Sequence, residues 1–225
     1  MKHLKSYKSY NYKIFENIQT DEEIHELCRK YRIENYTINE DKSIDVDGYV
    51  YLKDLGLTKL PLKFRHVKGN FNCRNNRLTT LEGAPETVGG YFDCSYSNLT
   101  TLEGVPETVS GHFSCSNNKL TTLEGAPRRV DGNFICSYNK NLMSLEGIFS
   151  TIHGDFYCNN TPVFYFWNEF LNRDKSLIDS FVEEWDVIHE DTVIIEYLKA
   201  YMEANNINKE INIAEIKSLG YKIGY

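Results

Sequence analysis

Five of the six cysteines recur at a nearly constant interval, so thiol chemistry is the first to consider. The interval is 21 residues, and 22 at the last step, in the row Cys73, Cys94, Cys115, Cys136 and Cys158. If the chain stacks in parallel turns about 4.8 Å apart, these thiols form a column that a metal thread or a redox relay would use. A phenylalanine lies two positions before each cysteine, and such residues share one side of a strand. We therefore interpret the column as buried packing, with metal or redox chemistry as the alternative.

Two acidic patterns offer other chemistry. A glutamate recurs before a glycine in each repeat, at Glu82, Glu103, Glu124 and Glu146. Stacked carboxylates repel one another, so we predict solvated turn residues, with cation binding as the alternative. The segment from Asp45 to Gly48 (D-V-D-G) begins like a calcium loop but lacks the remaining EF-hand ligands. We interpret it as a strand followed by a turn.

Sequence motifs for catalysis are missing. The chain contains no C-x-x-C pair, no H-E-x-x-H or G-x-S-x-G motif, and no phosphate-binding or dinucleotide-binding glycine loop. The polar cluster of His189, Glu190 and Asp191 is interpreted as a helix boundary. We predict a protein that is not an enzyme, with no catalytic residue, no metal site and no cofactor.

The composition indicates a folded protein, with 41% hydrophobic and 25% charged residues. Its formal net charge of -7 disfavours nucleic acid as a partner, because phosphate backbones are usually bound by a basic face. Residues 1–13 mix lysines with tyrosines and are interpreted as a solvated segment, with membrane or RNA contact as the alternative. Neither a transmembrane stretch nor a signal peptide is recognisable, so we predict a cytoplasmic protein without membrane contact and with reduced thiols.

The cysteines belong to a longer repeat, V-x-G-x-F-x-C-x-x-N-x-L-x-x-L-E-G-x-P, which determines the architecture. An earlier, diverged copy begins at Val46 and holds Val50 and Leu52 where later copies hold phenylalanine and cysteine. A single copy buries too few apolar side chains to offset the entropy of ordering its backbone. The copies must therefore stack into a solenoid, and the two ends of the stack need covering.

Residues 71–78 (F-N-C-R-N-N-R-L) resemble the core of bacterial-type leucine-rich repeats. Asn76, Asn118 and Asn139 match the asparagine with which that family satisfies backbone groups, whereas Ser97 departs and should weaken the local ladder. The resemblance implies an α/β solenoid, a leucine-rich-repeat array of about six short coils with one parallel sheet. Residues 33–48 and the helical tail are also similar to short repeat proteins of tailed bacteriophages and some bacteria, which have no assigned activity.

Three parts are predicted: an N-terminal segment with a helix/strand cap in 1–45, the solenoid in 46–161, and a helical C-terminal cap in 162–225. Thr20 and Glu23 have the spacing of a capping box, which marks the start of a helix. In the C-terminal unit, we predict further helix starts at Ser176 and at Asp191.

Residues that alternate with the phenylalanines and cysteines should point outward from the sheet. These positions vary in size, charge and aromatic character, which folding does not require. We predict a concave protein-binding face composed of Tyr49, Tyr51, Asn70, Asn72, Arg74, Tyr91, Asp93, Tyr96, His112, Tyr138, Asp155 and Tyr157. A further outward column is predicted through Lys53, Arg74, Ser95, Ser116, Ser137 and Asn159. The alternative is that the variable positions are unconstrained surface.

The sequence therefore favours a non-catalytic protein-binding module, with no prediction of oligomeric state. By the resemblance, it would be a phage-encoded inhibitor or sequestering factor for a host bacterial protein, such as a defence factor, in the host cytoplasm. The alternative is an assembly component that self-associates through the aromatic C-terminal unit around Phe164, Phe166, Trp167 and Trp185. Nucleic-acid binding is the weakest of the three hypotheses.

Overall fold

Each turn of the repeat forms two short strands, one at the valine and one at the phenylalanine. The computed structural model describes residues 20–148, 151–170, 187–189, 191–204, 207 and 210–225, with the backbone alone for 167–170 and 189. In chain order, the strands of the solenoid are β1 (Tyr36–Ile38), β2 (Ile44–Val46), β3 (Val50–Tyr51), β4 (Phe64–Val67), β5 (Phe71–Asn72), β6 (Thr87–Val88), β7 (Phe92–Asp93), β8 (Thr108–Val109), β9 (Phe113–Ser114), β10 (Arg129–Val130), β11 (Phe134–Ile135), β12 (Thr151–Ile152) and β13 (Phe156–Tyr157).

Strands from successive turns pair side by side into two sheets. The valine sheet has seven strands in the order β1-β2-β4-β6-β8-β10-β12, parallel except for the antiparallel pair of β1 and β2. The phenylalanine sheet has six parallel strands in the order β3-β5-β7-β9-β11-β13. Equivalent positions of neighbouring repeats face each other, as Phe92 faces Phe113. The fold is a parallel-strand β-solenoid of about five turns.

The predicted single parallel sheet is wrong, because the valine before each glycine forms a second ladder. The glycine lies at the corner between the two strands, where a Cβ on Gly111 would lie 2.7 Å from the carbonyl carbon of Gly90. Only glycine tolerates such an approach, so the V-x-G spacing determines where the chain turns. The predicted α/β solenoid is also corrected, since residues 46–148 and 151–161 contain no helix.

The inward columns of the repeat form the core. Ring centroids lie 5.3 Å apart between Phe71 and Phe92 and 5.8 Å apart between Phe92 and Phe113, distances at which aromatic rings attract. The five repeated cysteines and the two leucine columns are buried beside this stack. Their burial confirms that the cysteine column is packing, and it explains why these positions repeat so closely.

Asparagines satisfy backbone groups where the phenylalanine strands end. Asn118 Nδ2 donates to the carbonyl oxygens of Cys94 at 3.1 Å and Cys115 at 3.0 Å. Its Oδ1 accepts from the N–H of Leu99 at 3.0 Å. Equivalent bonds are made by Asn76 and Asn139. Ser97 interrupts the row, as predicted: its hydroxyl has no hydrogen-bond partner among the described residues.

A helix and a strand precede the first turn. Helix α1 (Asp21–Tyr31) begins with the predicted capping box, in which Thr20 Oγ1 accepts from the N–H of Glu23 at 3.3 Å. Ile24 and Cys28 are fully buried on its inner face and belong to the same core cluster as the solenoid. Strand β1 then pairs with β2, so it covers the first edge of the valine sheet.

The C-terminal unit mixes helices with a small sheet, so its prediction as helical is incomplete. Its described elements are α2 (Pro162–Phe170), β14 (Ile188–His189), β15 (Thr192–Ile194), α3 (Ile195–Ala204), α4 (Ile213–Ser218) and β16 (Lys222–Gly224). The strands form a sheet in the order β14-β15-β16. The Tyr221 hydroxyl donates to the carbonyl oxygen of Met143 at 2.7 Å, which links this unit to the solenoid.

Two predictions for this unit are wrong. Asp191 does not start a helix, because β15 separates it from α3; it instead forms an ion pair with Lys222 at 2.9 Å. His189 ends β14 and Asp191 directly precedes β15, its antiparallel partner, so these two residues of the polar cluster do not mark a helix boundary. Glu190 lies outside the described residues. The predicted helix start at Ser176 lies outside the described residues.

Candidate binding face

The twelve predicted site residues lie on or beside the strands of the phenylalanine sheet, and we call them the binding face. Most are exposed to solvent, namely Tyr49, Tyr51, Arg74, Tyr96, His112, Tyr138, Asp155 and Tyr157. Asn70, Tyr91 and Asp93 are half-buried. Asn72 is 9% exposed, which corrects its prediction as an outward residue. Asn72 Nδ2 donates to the hydroxyl of Tyr91, in the next turn, at 3.3 Å, so this amide is already hydrogen-bonded within the protein.

The residues directly after the corner glycines form one column of the phenylalanine sheet, namely Tyr49, Asn70, Tyr91, His112, Asn133 and Asp155, and part of this column also stabilises the fold. Asn70 Oδ1 accepts from the N–H of Tyr91 at 3.0 Å, one turn further along. His112 Nδ1 accepts in the same way from the N–H of Asn133 at 2.8 Å. Asn133 Oδ1 accepts from the N–H of Asp155 at 2.9 Å. Polar residues after the corner glycine therefore bridge adjacent turns, while the tyrosines in this column present rings to the surface.

Two tyrosines of the binding face adopt a backbone conformation that disfavours them. Tyr96 has φ 55° and Tyr138 has φ 62°, both in the left-handed region. The equivalent residue in the other turns is Asp54, Asn75, Asn117 or Asn160, with φ between 55° and 61°. Asparagine and aspartate tolerate this region, whereas a bulky residue there costs roughly 1–2 kcal/mol. The two rings are 45% and 52% exposed, so core packing does not explain the choice of tyrosine.

A polar groove of about 690 Å³ lies at the N-terminal end of the binding face. It is lined by Lys53, Asp54, Asn72, Arg74, Asn75, Asp93 and Tyr96. The Arg74 guanidinium carbon lies 4.5 Å from the centroid of the Tyr96 ring, a cation–π contact. Asp54 and Asn75 are the groove residues that the sequence analysis missed. Lys53 was predicted in the outward column of Arg74 but not in the site, and that column was the available signal for the groove.

The predicted outward column is wrong at Ser95, Ser116 and Ser137, which are buried. Its other three residues, Lys53, Arg74 and Asn159, are exposed as predicted. Each phenylalanine strand is only two residues long, so its alternation of sides does not extend past the cysteine. The hydroxyls are used internally: Ser116 Oγ donates to the carbonyl oxygen of Ile135 at 3.3 Å, and Ser137 Oγ accepts from the N–H of Asn159 at 3.0 Å. At this position, Lys53 and Arg74 are exposed where the three turns that follow have covered serines.

The buried thiols are poor nucleophiles and metal ligands. Burial raises the pKa of Cys158 to about 12 and the pKa values of Cys94 and Cys136 well above the ordinary thiol value. The thiolate that metals and disulfides react with is therefore scarce at neutral pH. Among the described residues, no three histidine, cysteine or acidic side chains are grouped as metal ligands would be.

The glutamate row is only partly solvated. Glu103 and Glu124 are exposed, as predicted, whereas Glu82 and Glu146 are half-buried. Burial raises the pKa of Glu82, and its Oε1 has no hydrogen-bond partner among the described residues. The predicted strand at Asp45 is confirmed, since Asp45 lies in β2 and its carboxylate accepts from Arg65 Nε at 3.0 Å. The chain then bends at Asp47 and Gly48.

Comparison of the chain with models of known protein families, with curated proteins and with solved structures found no significant match in any of the three. In the part of the chain that the structure describes, no helix has both the length and the apolar character needed to cross a membrane.

Proposed function

We propose that this protein is a non-catalytic module that binds another protein through the binding face. The observation that supports the proposal is the pair Tyr96 and Tyr138, which keep exposed tyrosines at backbone positions better suited to asparagine. A costly local conformation at an exposed residue points to a role other than folding. Recognition of a partner is such a role.

The chemistry of the binding face suits a protein partner. Tyrosine supplies a large contact area with few rotatable bonds, and neighbouring polar groups adapt to the hydrogen bonds of the partner. Tyr49 and Tyr51 stack with their ring centroids 6.0 Å apart at the N-terminal end, and Tyr157 is exposed near the C-terminal end. A nucleic-acid partner is disfavoured by the net charge of -7.

Affinity purification from a bacterial lysate with the full chain as bait tests the proposal. We expect one stoichiometric protein partner that is lost or strongly reduced with Tyr91→Ala or Tyr157→Ala. Tyr197→Ala is the matched control, because Tyr197 is exposed on α3 and lies outside the binding face. A partner retained equally by all three variants would refute the assignment of this face.

The finer parts of the proposal extend the resemblance in the sequence. The chain would be a leucine-rich-repeat protein whose N-terminal and C-terminal units cap the solenoid. It would be encoded by a phage and would inhibit or sequester a host bacterial protein, such as a defence factor, in the host cytoplasm. The lysate experiment addresses this directly, since it identifies the partner.

An assembly role through the C-terminal unit is the second candidate. Phe166 is fully buried and its ring centroid lies 5.4 Å from that of Tyr221, so it serves the interior. Tyr165 and Tyr197 are exposed aromatic residues of this unit and are available for contact with a second copy. Sedimentation velocity over a hundredfold concentration range distinguishes the two roles. An average particle mass that increases with protein concentration, and that is lower in Tyr165→Ser than in the parent protein, would favour assembly.

A further inference from the structure

The two sheets differ in the charges that adjacent turns carry at equivalent positions. On the valine-sheet side, neighbouring turns carry opposite charges that form ion pairs. Lys68 Nζ lies 2.8 Å from Asp47 Oδ2, and Arg65 pairs with Asp45. On the phenylalanine-sheet side, Lys53 and Arg74 occupy the same repeat position one turn apart, so two cations stack. Stacked like charges repel unless an anion lies between them.

Arg74 has one long ion pair, with Asp93 Oδ2 4.0 Å from Arg74 Nη1. Lys53 has no ion pair among the described residues. Asp93 Oδ1 already accepts from the N–H of Ser95 at 3.0 Å and from its hydroxyl. The other acid of the groove, Asp54, accepts from Asn75 Nδ2 at 2.6 Å. Both acids are thus engaged by neighbouring residues, and Lys53 and the Arg74 donors other than Nη1 remain for a ligand.

We propose that Lys53 and Arg74 form a subsite for a carboxylate group of the bound partner, an inference that rests on the proposed function. The planar guanidinium of arginine binds a carboxylate through two parallel hydrogen bonds, and a lysine adds a third donor. The Tyr96 ring lies against the Arg74 guanidinium and restricts its orientation. A carboxylate fits better than a phosphate dianion, because Asp54 and Asp93 border the same groove.

The carboxylate belongs to an acidic side chain or to the C-terminus of the partner chain, and small probes distinguish these sources. Amide spectra of the isotope-labelled full chain would be recorded during titration with N-acetylglutamate N-methylamide, which carries a side-chain carboxylate, and with N-acetylglycine, which mimics a chain end. N-acetylglutamine N-methylamide is the neutral control, and inorganic phosphate tests the dianion. We expect saturable shifts at Asp54, Arg74, Asn75 and Tyr96 with one or both carboxylate probes.

The double variant Lys53→Gln/Arg74→Gln should raise the dissociation constant of the carboxylate probe at least tenfold. The matched control, Lys59→Gln/Arg77→Gln, removes two exposed cations outside the groove and should leave it unchanged. Equal shifts with the glutamine probe, no saturable shift, or tighter binding of phosphate would each overturn the carboxylate assignment. These results do not depend on the natural partner, so they distinguish failure of the subsite from failure of the proposed function.

Discussion

The side-chain amide of Asn118 donates to the carbonyl oxygen of Cys94 over 3.1 Å, across one turn of the solenoid. Each asparagine of this row also donates to the carbonyl oxygen of the cysteine three positions before it, as Asn118 does to that of Cys115 at 3.0 Å. The residue at this position after Cys94 is Ser97, whose hydroxyl has no partner among the described residues. Among these two side chains, only that of Asn118, from the next turn, donates to the carbonyl oxygen of Cys94.

Completing the ladder should stabilise the protein. In Ser97→Asn, the new amide can donate to the carbonyl oxygen of Cys94 and accept from the N–H of Leu78, by the register of the other turns. Each net hydrogen bond contributes about 1 kcal/mol, so we expect the free energy of unfolding to rise by about 1–2 kcal/mol. Urea denaturation measures it. A decrease in stability would show that the turn at position 97 cannot accept the larger side chain.

The cysteine column predicts a clear response to substitution and to thiol reagents. Cys115→Ser places a hydroxyl where no water reaches, and we expect a loss of about 1–3 kcal/mol in unfolding free energy. In the unmodified protein, the buried thiols should react slowly with a maleimide until denaturant is added. Rapid labelling of all five repeated cysteines in the native state would contradict their position on the buried side of the phenylalanine strands.

The pair of Asp45 and Arg65 makes stability depend on acidity. The hydrogen bond from Arg65 holds the pKa of Asp45 below its ordinary value of 3.8. Because the folded-state pKa is the lower one, the stabilisation is nearly complete above about pH 5 and is lost as the pH falls further. Arg65→Gln should therefore be less stable than the parent protein at pH 6, and the difference should shrink at pH 3.

Arg77→Gln, which removes an exposed cation with no ion pair among the described contacts, should show no such pH dependence. A difference between Arg65→Gln and the parent that stays the same at both pH values would contradict this role of the ion pair.

The repeat period was sufficient to predict a stacked solenoid and its buried columns, because each core position recurs with the same residue type. The second sheet was missed because strands of two residues, such as Thr87–Val88, are too short to show an alternating pattern. The burial of Ser95 was missed for the same reason, since the chain turns immediately after the strand. The left-handed conformation of Tyr96 and Tyr138 could be inferred only after alignment with the asparagines of other turns.

The groove was harder to predict than the columns. Its lining combines residues from adjacent turns, and the contact of Arg74 with Tyr96 depends on a backbone angle that the sequence does not display. The C-terminal unit was predicted least well, because it lacks a repeat: apolar spacing around Leu198 indicated α3, but the strand before it follows no local pattern.

The most direct test of the central claim is to measure stability and partner binding together in Tyr138→Asn. Asparagine suits φ 62°, so the account predicts a free energy of unfolding higher by about 1 kcal/mol. It also predicts that the partner isolated with the parent protein binds at least tenfold more weakly, because an exposed aromatic anchor is lost. A variant that is more stable and binds the partner with undiminished affinity would contradict the claim that this tyrosine is retained for recognition.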